Sequence, residues 1–124
     1  AAGAYPSDEE ATAARRSRRE DRAGLIDALR REGLLGGQPN NDQELFEAAL
    51  RFIARTPCRL LMAGIEDMLG VREQANLPGT VDEHPNWRRR LPADLAAIRH
   101  DPRVKSAIRI LNEERPPSRP ARAE

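Results

Sequence analysis

The run Cys58-Arg59-Leu60-Leu61-Met62-Ala63-Gly64-Ile65 constrains this chain more than any other. It is short and largely apolar, follows Pro57, and shows little alternation of apolar and polar positions. Such a run reads as a strand buried on both faces, as in a parallel sheet. Leu, Met and Ala also favour helix, which leaves a helix as the alternative. One lone strand cannot satisfy its own backbone N–H and C=O groups. Helix, strand, loop and helix make up one unit of a parallel α/β structure, and the neighbours of that unit are missing from this sequence.

The rest reads as helices. Ser7 to Glu10 has the S-x-x-E form of a capping box, and Ser17 to Glu20 offers a second start. The helix would run to about Glu32, with Leu25, Ile26, Leu29 and Arg22 on one face, and Gly33, Gly36 and Gly37 would stop it. Asp42 is the expected N-cap of a helix to about Arg55, whose apolar face is Leu45, Phe46, Ala49, Leu50, Phe52 and Ile53. Thr56-Pro57 ends it, because the residue before proline is pushed out of the helical region. Pro92 is expected in the first turn of a helix over 93–99. Asp101-Pro102 restarts a helix with Val104, Ala107, Ile108 and Leu111 inward. Residues 1–16 read as a mobile or solvated helical lead-in, 17–114 as the folded segment, and the Pro-rich, charged 115–124 as a disordered tail.

Composition excludes several classes. The chain has 124 residues, of which 3% are aromatic and 39% hydrophobic, a thin apolar stock for a free-standing core. No stretch approaches the roughly 20 apolar residues of a membrane helix, and no signal peptide is visible. One cysteine, Cys58, makes no disulfide framework, fits a reducing cytoplasm, and reads as a small buried hydrophobe. A net charge of +1 gives no global attraction to nucleic acid or anionic membrane. The cluster Arg15-Arg16-Ser17-Arg18-Arg19 is flanked by acidic residues and lacks interleaved aromatics, so it reads as a solvated helix face. His84 and His100 are too far apart to suggest a metal site, and no cofactor is expected.

The loop at 73–91 carries the amides Gln74, Asn76 and Asn86, the Pro78-Gly79 turn and the only tryptophan, Trp87. A long loop in a compact domain is usually functional or disordered. After the C-terminal end of a parallel strand, it would lie where α/β folds bind ligands. Asn offers a donor and an acceptor together, which suits sugar hydroxyls, and an indole stacks on a sugar face. The competing reading is that Asn76 and Asn86 tie the loop to itself and Trp87 plugs a core gap.

Gln74, Asn76-Leu77-Pro78-Gly79-Thr80 and His84-Pro85-Asn86-Trp87-Arg88-Arg89-Arg90-Leu91 resemble the C-terminal end of 4-alpha-glucanotransferases of the amylomaltase, or disproportionating enzyme, family. Leu60 to Gly70 resembles the family's last barrel strand and its exit, with Glu66 where relatives place Gln or another residue. The resemblance covers most of 17–111 and concentrates in 60–91.

The resemblance implies an α/β fold: the C-terminal fragment of a (β/α)8 TIM barrel, mostly helical here, with about one short buried strand at 58–65. It implies a cytoplasmic enzyme that moves α-1,4-glucan segments between maltodextrins, with retention, through a glycosyl-enzyme intermediate. That chemistry needs a carboxylate nucleophile and a carboxylic acid about 5 Å apart. The family's catalytic carboxylates lie upstream, so no catalytic residue is expected in this fragment, which alone would be inactive. Asp67 reads as an anchor for the following loop, not as a catalytic acid. The implied glucan contacts are Asn76, Pro78, Gly79, Asn86 and Trp87, and the implied partners are maltodextrins and the missing N-terminal part of the barrel, not nucleic acid or membrane. Arg88, Arg89 and Arg90 would pair with carboxylates or backbone carbonyls. The alternative is a free-standing helical interaction module that docks a partner on the face from Leu45 to Ile53.

Overall fold

The computed structural model describes residues 7–82 and 84–116. Five helices follow in order: α1 (Asp8–Arg31), α2 (Asp42–Ala54), α3 (Ile65–Met68), α4 (Leu95–His100) and α5 (Pro102–Glu114). The chain divides into two compact units, Ala1–Phe52 and Ile53–Glu124. Most of the expected tail lies outside the described residues.

In the first unit, α1 starts at the earlier of the two capping signals. Ser7 Oγ accepts from the Glu10 N–H at 3.2 Å, and Asp8, Glu9 and Glu10 complement the positive end of the helix. The helix ends in a Schellman closure. Leu34 N–H donates to Leu29 O at 2.9 Å and Gly33 N–H to Arg30 O at 3.0 Å. This closure turns Leu34 onto the core of Ile26, Leu29, Leu35 and Ala48, with Leu45 and Ala49 against its edge. Arg22 stands on the surface and donates to Asp42 at 3.1 Å, and Leu25 is exposed. The cap of α2 falls one residue before the expected Asp42. Asn41 Oδ1 accepts from Glu44 N–H at 2.9 Å, and the Glu44 carboxylate accepts from the Asn40 backbone and side-chain amides. On the expected apolar face of α2, Leu50 is buried, but Phe52 and Ile53 are exposed.

In the second unit, α5 packs against α3 and α4. Its inward residues are Val104, Ala107 and Ile110, with Leu111 half-buried. Ile108, expected inside, is 49% exposed. α4 begins after Asp94, whose carboxylate accepts from Ala97 N–H at 2.8 Å, so Pro92 precedes the helix instead of opening it. At the other end, Arg115 donates to Ala54 O at 2.8 Å and Thr56 O at 2.6 Å. These carbonyls lie at and just past the end of α2, where backbone acceptors have no helical partner. The neighbouring Arg55–Glu114 ion pair, at 2.9 Å, holds the same two chain segments together.

The expected strand is not formed. Among the described residues there is no strand, and 58–64 is irregular chain without ladder partners. Leu60 is 87% and Met62 95% exposed, and Cys58 is exposed as well. A parallel strand needs neighbours on its edges and layers on its faces, and the described residues supply neither to this run.

Candidate functional site: a locked loop beside an arginine-rich cleft

The last turn of this region's first helix sets the loop's departure. Gly64 precedes α3 and sits under the Asp67 carboxylate; a Cβ there would lie 2.9 Å from Asp67 Oδ2. After α3 the chain makes a second Schellman closure. Gly70 N–H donates to Asp67 O at 3.0 Å and Val71 N–H to Glu66 O at 2.9 Å. Gly70 adopts φ +67, a left-handed position that L side chains adopt at a cost. The Asp67 side chain makes no hydrogen bond among the described residues that would anchor the loop. Arg103 anchors it from α5, donating to the Leu69 carbonyl while it chelates the Asp101 carboxylate through Nε and Nη2, at 3.1 and 2.8 Å.

The described residues of 71–93 have no regular secondary structure, yet several bonds tie them together. His84 Nε2 lies 2.9 Å from the Gln74 carbonyl, which assigns the proton to that nitrogen. Trp87 N–H donates to Ala75 O at 2.8 Å. Leu77-Pro78-Gly79-Thr80 forms a turn with Gly79 at φ +83, closed by Thr80 N–H and Oγ1 on Leu77 O. The Asn86 side chain grips that turn from the return limb. Its Oδ1 accepts from Leu77 N–H at 2.8 Å, and its Nδ2 donates to Thr80 O at 2.9 Å and Thr80 Oγ1 at 3.0 Å. Asn86 thus spends its amide inside the loop. Asn76 is half-buried, and its side chain has no hydrogen-bond partner among the described residues.

Trp87 follows with φ +60, the one non-glycine residue in left-handed backbone among those described. Arg88 N–H donating to Pro85 O at 3.1 Å closes the turn around it. Such a conformation costs about 1–3 kcal/mol and persists only where the surroundings enforce it. Here the Asn86 grip and the Ala75 bond enforce it, and the indole stands 78% exposed. Trp87 does not fill a core gap.

Trp87 lines a cleft of about 710 Å³. It is lined by the α3 exit at Glu66, Leu69, Gly70 and Val71, with Arg103 against it, and by Arg89 and Arg90. Arg89 meets Glu73 at 3.9 Å, the expected pairing of that arginine run with a carboxylate. The cleft combines guanidinium donors, carboxylate acceptors and an exposed indole, a set that can hydrogen-bond and stack on a polyhydroxylated ring. Among the described residues, no group of three or more His, Cys, Asp or Glu is placed to hold a metal ion. No helix among the described residues is long and apolar enough to cross a membrane.

Asp101 has the most perturbed carboxyl of the region. The Arg103 side-chain hydrogen bonds hold it down to about 2 from 3.8, against partial desolvation; the backbone N–H groups of Arg103 and Val104 add to the lowering. A depressed carboxyl contributes stability above its unfolded value and loses it as pH falls through the folded one. The Asp101–Arg103 link is therefore expected to persist at pH 4 and to break as pH falls toward about 2. A carboxyl-carbon NMR titration of Asp101 should show its midpoint near 2; a midpoint at the ordinary 3.8 would mean that the link is not made in solution.

Comparison with known proteins gives this loop its context. The family model described as 4-alpha-glucanotransferase matches residues 7–96, and the chain belongs to that family. Proteins named 4-alpha-glucanotransferase from Mycobacterium tuberculosis and Mycobacterium bovis are each 46% identical over 74 residues, covering 58% of this chain and 10% of theirs. One of the same name from Haemophilus influenzae is 26% identical over 104 residues, 77% of this chain and 15% of its own. The chain thus spans about a tenth of the length of the first of these relatives. No solved structure matches it.

Proposed function

We propose that the chain is the C-terminal portion of a 4-alpha-glucanotransferase that moves α-1,4-glucan segments between maltodextrins by retaining double displacement. The observation that carries this reading is Trp87: an exposed indole on costly left-handed backbone, locked by its own loop, inside the stretch matched by the family. Trp87 stacks on a glucan ring and Asn76 offers its uncommitted amide to sugar hydroxyls. Pro78, Gly79 and Asn86 shape the wall that holds both. The nucleophile and acid, about 5 Å apart in retaining enzymes, come from chain upstream of these residues. The apolar segment 58–64, with Leu60 and Met62 exposed, becomes the last parallel strand of a (β/α)8 barrel once that upstream part lies beside it. The family match over 7–96 favours this reading over a free-standing interaction module.

Maltotriose disproportionation tests it. The longer polypeptide containing this chain should release glucose and build longer maltodextrins, and the 124-residue chain alone should do neither. Transfer by the short chain alone would overturn the placement of the carboxylates; no transfer by the long one would overturn the activity.

A further inference from the structure

We infer that Arg103 is the positioning residue of the Trp87 loop, acting from outside the stretch that the family model matches. That stretch ends at residue 96, and α5 begins at Pro102. Arg103 nonetheless reaches back across 34 positions to the Leu69 carbonyl, at the point where the chain leaves α3. Leu69 is the C-cap of α3, so its carbonyl is an acceptor the short helix cannot use. A charge-assisted donor there is about twice as strong as a neutral one.

The guanidinium is itself fixed. Asp101 holds it through two nitrogens, and the same carboxylate caps α5 by accepting from Arg103 N–H at 2.8 Å. Arg103 is thus braced against a helix whose Val104, Ala107 and Ile110 are buried. Its Nη1 would lie 3.5 Å from a Cβ added at Gly70, so it also packs on the left-handed turn. Gly70, Val71, Arg103 and Trp87 all line one cleft. One side chain therefore couples the first turn of α5 to the loop's departure, and through the bonds across the loop to the backbone of Trp87. Because Arg103 also lines the cleft, its positioning role is read from the exchange rates and not from ligand affinity. Only the ligand arm of the test depends on the glucan reading of the cleft.

Amide hydrogen exchange by NMR on the whole chain tests the coupling. In Arg103→Gln, the Val71 amide, bonded to Glu66 O, and the Trp87 amide, bonded to Ala75 O, should exchange about tenfold faster, on the scale of one lost charge-assisted bond. The Ile110 and Leu111 amides of α5 should keep their rates. Arg103→Lys should recover part of the protection, because an ammonium can reach the carbonyl but cannot chelate Asp101 in a fork. Unchanged protection at Trp87, or equal losses at Trp87 and Ile110, would overturn the inference. If the Gln variant fails to fold, the Lys variant decides by the same comparison. In the ligand arm, maltoheptaose should perturb the fluorescence of Trp87, the only tryptophan, and several-fold more ligand should be needed in Arg103→Gln. A wild-type chain indifferent to maltoheptaose would remove the glucan reading of the cleft, while the exchange rates would still decide the role of Arg103.

Discussion

Truncating Ile110 to alanine is expected to lower the unfolding free energy of the second unit by about 2–5 kcal/mol. Ile110 is 0% exposed, alongside Ala107 at 0% and Val104 at 4%. The deleted methyl and methylene groups would leave a void at a fully buried position of α5. Close-packed surroundings collapse only partly into such a void, which adds a cavity cost to the lost transfer energy. Set against a total of about 5–15 kcal/mol for an ordinary domain, this is a large share. Ile108→Ala is the matched control. With half of its surface already in water, it should cost well under half as much. Urea unfolding followed by far-UV circular dichroism measures both. A loss below 1 kcal/mol at Ile110, or equal losses at the two positions, would mean that α5 presents a different face.

That pair of isoleucines marks the limit of pattern reading. Residues 107, 108, 110 and 111 are all apolar, so two adjacent helix faces fit the 3.6-residue period equally well. Which face turns inward depends on α3 and α4, and those helices are too short to read from periodicity. Helix starts were more legible. Ser7 and Asp101 both cap through their side chains, because a capping oxygen acts within two or three residues and so leaves a local trace, whereas the start of α4 reads from Pro92 and falls instead at the Asp94 cap. Local competition moved the α2 cap from Asp42 to its neighbour Asn41, an equally good acceptor.

The 58–65 run shows the opposite case. Its apolar character is that of a buried parallel strand, while Leu60 and Met62 stand in solvent. Sequence pattern records the environment a segment is suited to, and a strand's environment consists of other chain segments. Among the described residues no such segment lies beside the run, and its apolar pattern goes unused there. The loop was legible only in part. Asn86 stood out by residue type, but its commitment to Leu77 and Thr80 rests on a fold-back across nine and six positions. The Arg103 contact with Leu69 left no signal, since nothing about an arginine at the start of a helix points to a carbonyl 34 residues earlier.

Trp87→Gly should separate the stability of the loop from its use, moving the two in opposite directions. Trp87 occupies φ +60 at the third position of the turn from Pro85 to Arg88, where glycine is the favoured residue. Glycine there relieves about 1 kcal/mol or more of backbone strain. It removes no packing of consequence, because the indole is 78% exposed. A residue selected only to hold the turn would not be tryptophan. The Gly variant should therefore show slower amide exchange at Leu77 and Arg88 than the wild type, whose bonds to Asn86 Oδ1 and Pro85 O are retained. Trp87→Ala should not show that gain, since alanine also pays the left-handed cost. Both variants should lose the stacking face, which weakens maltoheptaose binding about tenfold on the energy scale of one aromatic contact. Calorimetric titration reads that loss without needing the fluorophore. If the Gly variant binds maltoheptaose as well as the wild type, the indole serves no glucan. If its loop amides exchange faster instead of slower, the left-handed turn at Trp87 is not the solution conformation, and the strain that singles this residue out disappears with it.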